Sequence, residues 1–156
     1  MPKLIKDGTI VSDERWQAPQ PEAEAVAQGV ICTLSQWQAL EDKAGSAVQL
    51  EPGDDVASLL PYLAELDLVA VNFPVFTDGR GFSYGRELRE EGYQGELRAV
   101  GHFIRDQMHY LSRVGFNAFQ LADESSLESA LASLDDFTEH YQASINQPQP
   151  LFRRRA

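Results

Sequence analysis

Apolar positions recur along this chain with two different periods, and the alternation between them sets out the fold. The runs Val30-Ile-Cys-Thr33, Ala47-Val-Gln-Leu50, Leu68-Val-Ala-Val-Asn72, Glu96-Leu-Arg-Ala-Val100 and Phe116 to Leu121 are short and rich in β-branched or aromatic residues, so they read as covered strands. Between them Val56, Leu59, Leu60, Leu63 and Leu66 fall at helical spacing. The same holds for Tyr84 with Leu88, for Phe103, Met108, Leu111 and Val114, and for Leu127, Ala130, Leu134 and Phe137. Turn chemistry separates the runs at Gly45-Ser46, Pro52-Gly53-Asp54, Asp78-Gly79-Arg80-Gly81, Gly92 and Gly115. Ser35 is the expected N-cap of a helix through Trp37, Leu40 and Lys43, and Pro61 is expected to restart the helix it falls in. Leu4-Ile5, the turn Lys6-Asp7-Gly8 and Thr9-Ile10-Val11 predict a hairpin.

Strand then helix, about five times over, predicts an α/β fold with a mainly parallel sheet and helices on its faces. A complete (β/α)₈ barrel needs about 250 residues, more than the 156 present. A flavodoxin-like three-layer sandwich fits, with a half-barrel-like βα sheet as the alternative. Residues 1–28 are expected to be the hairpin and a linker, 29–142 a single α/β domain, and 143–156 a disordered tail ending in Arg153-Arg-Arg155.

Charge narrows the function classes. A formal net charge of -11 argues against nucleic acid and against an anionic membrane surface as partners. No run approaches the roughly 20 apolar residues of a membrane span, and the N-terminus carries no long apolar leader. The single Cys32 excludes a disulfide within the chain and is expected to be a buried, inert thiol, so a soluble cytoplasmic protein is expected. The positive charge is unevenly placed: six arginines lie within residues 78–113, balanced by six acids, and lysine does not recur after Lys43. Arginine suits bidentate contact with carboxylates and oxyanions.

In parallel sheets ligands bind beyond the carboxyl ends of the strands. That rule selects Asn72 to Ser83, Gly101 to Gln107 and Ala122 to Ser125, of which the first two carry Asp78, Arg80, Ser83, His102, Asp106 and Gln107. The glycine-bracketed turn Asp78-Gly79-Arg80-Gly81 feeds a helix start, where free backbone N–H groups and Arg80 would hold an oxyanion or phosphate. His102 with Asp106 four residues on is a candidate acid–base pair, beside the plainer reading of a helix-start histidine paired with a helical aspartate. No metal or iron–sulfur cluster is expected, since the three histidines and one cysteine have no ligand spacing. No dinucleotide, nucleotide or nucleophile-elbow pattern follows a strand.

Five motifs occur in order: Phe73-Pro-Val-Phe-Thr-Asp-Gly-Arg-Gly81, Leu88-Arg89, Gly92-Tyr-Gln-Gly-Glu-Leu-Arg-Ala-Val-Gly101, Arg105-Asp-Gln107 and Arg113-Val-Gly-Phe-Asn-Ala-Phe119. Together they resemble the bacterial domain-of-unknown-function family 934 over roughly residues 30–140. The resemblance implies a probable oxidoreductase or an accessory protein of sulfite reduction, because such proteins accompany a sirohaem sulfite reductase. It also implies a small acidic or amide residue where His102 stands and an alanine where Gly85 stands, which shifts weight to Asp78, Arg80, Arg98, Asp106 and Gln107. Two functions are therefore expected. One is an accessory role in assimilatory sulfur metabolism with sulfite reductase as partner. The other is a small enzyme or sensor that binds an anionic ligand at Asp78, Gly79, Arg80, Gly81, Ser83, Arg98 and Gln107, with Asp106 or His102 moving the proton.

Overall fold

The structure is a computed structural model describing residues 3–13, 15–24, 26–74, 80–103, 107–122 and 127–138. Its sheet runs β2-β1-β7-β6-β5-β4-β3, with β1 Lys3–Lys6, β2 Thr9–Ser12, β3 Cys32–Thr33, β4 Ser46–Leu50, β5 Leu66–Phe73, β6 Glu96–Gly101 and β7 Ala118–Leu121. Strands β3 to β7 are mutually parallel, and β1 joins β7 antiparallel. The N-terminal hairpin therefore extends the sheet. Its turn places Asp7 and Gly8 at positive φ, which an Asp-Gly pair tolerates best.

Each parallel strand is followed by a helical element: α1 Leu34–Gln38, a 3₁₀ segment Val56–Glu65, α2 Arg80–Glu90, α3 Met108–Val114 and α4 Leu127–Thr138. Because β3 to β7 lie side by side in chain order, every right-handed crossover steps the same way and lands on the same side of the sheet. The core confirms it. Trp37, Leu59, Leu88, Leu111, Val114 and Leu127 from the helices share one cluster with Val48, Val69, Val71, Phe73, Leu97 and Phe119 from alternate strand positions. The opposite positions Ala47 and Leu68 pack separately with Trp16 and Ile31 from the segment joining β2 to β3. The α/β class holds, but the sequential order is not the 2-1-3-4-5 order of a flavodoxin-like sheet, and the described helices do not cover both faces. Hydrophobic runs alone do not distinguish the two windings, since both bury the central strands.

Local chemistry differs from expectation at two helices. The N-cap of α1 is Thr33, not Ser35: Thr33 Oγ1 accepts from Gln36 N (3.3 Å) and Gln36 Oε1 accepts from Thr33 N (2.9 Å), so the helix starts directly off the strand. The Val56–Glu65 segment winds as 3₁₀ with Pro61 inside and a non-helical Tyr62 after it, because the proline has no N–H to give an α-helical ladder. Trp37 is a packing residue as expected, buried with its Nε1–H donated to Ser46 Oγ at 2.9 Å. Among the described residues no helix is long and apolar enough to cross a membrane.

Candidate functional site

The carboxyl ends of β4, β5 and β6 form one edge. β5 ends at Phe73, whose carbonyl accepts from His102 N at 2.7 Å, so the exits of β5 and β6 are tied together. Gly101, with φ +111°, makes this approach possible: a Cβ there would stand 2.7 Å from Phe73 O and 2.8 Å from Asn72 Oδ1. Helix α2 begins at Arg80 beyond this edge. Gly81 lies buried against Phe73 and Val71, and a Cβ would stand 2.9 Å from Val71 Cγ1, so the residue type is fixed by the close seating of the helix on β5.

Ser83 is exposed on α2, His102 is exposed just past β6, and Gln107 is half-buried at the N-cap of α3. These three and Gly81 lie at the carboxyl edge. Asp78, Gly79 and Asp106 fall outside the described residues. Arg98 is elsewhere. It points to the helix-free face from the middle of β6, with Ala70 and Ala118 opposite it on the neighbouring strands, and these small side chains leave room for the guanidinium. Only 3% exposed, it donates Nη1 to Asp13 Oδ2 (2.9 Å) and Gln120 Oε1 (3.2 Å), and Nε to Glu96 Oε2 (2.8 Å). Lys6 Nζ reaches the other oxygen of Glu96 at 3.0 Å. The structure thus does not bring Arg98 together with Gly81 and Ser83; it joins β6 to the chain just past β2.

The Asp13 carboxyl is held by more than that joint. Burial alone would raise its pKa, but the backbone N–H groups of Trp16 and Arg15 and the Arg98 guanidinium together outweigh burial and hold it below its ordinary value. Arg89 is also a structural cation. It donates to the carbonyls of Gly115 (2.8 Å), Tyr93 (2.8 Å) and Gly95 (3.0 Å), stitching the ends of α2 and α3, and burial lowers its pKa.

One carboxylate at the carboxyl edge was missed by sequence reasoning. Glu51 follows β4 and is held by two amides: Asn72 Nδ2 donates to Oε1 at 2.7 Å and Gln49 Nε2 to Oε2 at 3.0 Å. Tyr84 of α2 closes the same corner, its hydroxyl accepting from Gly53 N at 2.9 Å. Such a carboxylate is oriented while keeping lone pairs for a proton or a ligand donor. The visible signal was polar Gln49 and Asn72 interrupting apolar strands near their carboxyl ends.

Residues 47–152 match the family model described as a bacterial protein of unknown function (DUF934). The chain belongs to the DUF934 family. No curated protein and no solved structure matches it. Strands β5 to β7 and the carboxyl-edge residues lie inside the DUF934 match, whereas Lys6, Asp13, Arg15 and Trp16 lie outside it. Among the described residues no group of three or more His, Cys, Asp and Glu is arranged to hold a metal ion.

Proposed function

We infer that this DUF934 protein is a cytoplasmic accessory protein of assimilatory sulfite or sulfate reduction, acting with a sirohaem sulfite reductase. Family membership is the observation that carries this reading, because the resemblance to that family implies the metabolic setting. The outward face of α2, with Arg86, Glu87 and Glu90 exposed, supplies the charged surface that a transient protein partner would read. Deleting the gene tests it. Growth on sulfate or sulfite is expected to slow while growth on cysteine is unchanged, and unimpaired growth on all three overturns the reading.

A second reading has its own observation. The sheet is taken as half-barrel-like, and α2 opens directly beyond the carboxyl end of β5, where the first N–H groups of a helix have no partner within it. An oxyanion or phosphate-bearing metabolite bound at the Asp78-Gly79-Arg80-Gly81 turn would rest there, with His102 or Asp106 as the candidate proton carriers and Glu51, held by Gln49 and Asn72, as a further carboxylate of the same edge. Arg80→Ala is then expected to weaken phosphate or sulfite binding by about 2 kcal/mol, measured by calorimetry. Unchanged binding removes Arg80 from the site.

A further inference from the structure

Two clefts near the N-terminal segment are used by neither reading, one on the helix-free face and one at the β3 edge of the sheet. The β3-edge cleft, of about 460 Å³, is walled about equally by polar and apolar surface, its apolar part formed by Val26, Val30, Leu40, Ala44 and Ala47. The other, of about 470 Å³, is charged, and Arg98, Asp13, Glu96 and Lys6 line it. Arg15 and Trp16 line both and form the wall between them. Each cleft has the size of a small-molecule site.

The dividing wall has the chemistry of a bound cation. The Arg15 guanidinium lies 4.7 Å from the centroid of the Trp16 ring and pairs with the Asp67 carboxylate. Asp67 stands at the border, since a Cβ on Gly45 of the β3-edge cleft would be 3.7 Å from Asp67 Oδ2. Trp16 is only 9% exposed, whereas the Arg15 side chain is 64% and the Asp67 side chain 40% exposed. Exposed ion pairs and exposed cation–π contacts are both weak, so the arginine side chain is displaceable, while the indole is held by its burial. Among the described residues the charged cleft is balanced, with Lys6, Arg15 and Arg98 against Asp13, Asp67 and Glu96. Swinging Arg15 away leaves one uncompensated carboxylate beside an aromatic face, at the border of the two clefts.

We propose that Arg15 occupies a binding site for an organic cation bearing an apolar group: a primary ammonium or guanidinium that takes its place between Trp16 and Asp67, with an aliphatic or aryl portion against the apolar part of the β3-edge cleft. Arg15 is the built-in competitor, so the site favours cations over anions of the same shape. The carboxyl edge, which would take an oxyanion, is a separate site at the other end of the parallel strands.

The test uses the full chain and 2-phenylethylamine as probe, following the Trp16 indole N–H by NMR, with the resonance assigned from Trp16→Phe. Arg15→Ala is expected to bind the amine at least about ten-fold more tightly than the unsubstituted chain, and adding Asp67→Asn is expected to reverse about ten-fold of that affinity. Arg15→Gln, which keeps a polar stem, is expected to move in the same direction as Arg15→Ala. Phenylacetate, of the same shape and opposite charge, is expected to show no gain. Amine binding no tighter in either Arg15 variant, or an equal gain for phenylacetate, overturns the proposal.

Discussion

The two faces of this sheet solve the burial problem in opposite ways. On the helix side Phe73 meets Phe82, Phe103 and Phe116 with ring centroids 5.4, 5.9 and 6.1 Å apart, and the cluster is apolar throughout. On the helix-free side small residues such as Ala70 and Ala118 surround a buried guanidinium, and the N-terminal region supplies its carboxylate partner and part of its cover. The apolar face gains from every methylene it hides, whereas the ionic face has to offset desolvation against attraction. A singly wound βα sheet has helices for one face only, so its other face is left to be sealed by whatever the chain brings to it.

Paired substitutions test that contrast at its largest scale. Phe116→Ala should cost about 3–5 kcal/mol in urea unfolding, with no second substitution restoring it. Arg98→Met should cost about as much, because Asp13 loses its cation and Glu96 keeps only Lys6. Unlike the Phe116 loss, it should be largely recovered by adding Asp13→Asn and Glu96→Gln. Failure of the added pair to rescue would mean that the ionic face is held by something other than charge pairing.

A smaller effect is expected at Gly85 of α2. A Cβ there would run into the buried Phe116 ring, with Cζ at 2.8 Å. Gly85→Ala should therefore destabilise by about 1–2 kcal/mol, the overpacking exceeding the gain in helix propensity. A stabilised variant would show that Phe116 has room to move.

The faces should also differ in their response to acid. The pKa of Asp13 in the folded chain is held below its ordinary value of 3.8, so its contribution is fully present above that value and is lost as pH falls through the lower folded value. Urea midpoints followed from about pH 6 to about pH 2 should drop less steeply for Asp13→Asn than for the unsubstituted chain. Identical slopes would remove Asp13 from the acid response. The smallest expected effect is at Cys32, where burial pushes the thiol pKa up, so the folded chain should react with a disulfide reagent only after unfolding. Rapid labelling at neutral pH would place the thiol in an open part of the β3-edge cleft.

Much of the fold was legible because the runs differ in period. The five βα units, the Asp7-Gly8 hairpin turn and the left-handed glycines 92 and 115 follow from local residue chemistry. The side on which the helices pack was not legible, since strand order is a long-range choice that a buried run such as Leu68–Asn72 does not encode. Arg98 shows the same limit at the level of the site. Its strand position was evident, but its partner Asp13 lies 85 residues earlier and enters only through the pairing of β1 with β7. Glu51 escaped notice for a related reason, because the amides that hold it come from two different strands.

Arg98 is committed to holding the helix-free face together, and under the proposed anion-binding reading it is the start of α2 that takes the ligand. A phosphate titration of the full chain, followed by NMR of backbone amides and the arginine Nε–H signals, tests it most directly. The account predicts that the amides from Gly81 to Ser83 move while the Nε–H of Arg98 and the amide of Asp13 stay fixed. Movement of the Arg98 signal with the α2 amides still would contradict it and would place the anion on the opposite face.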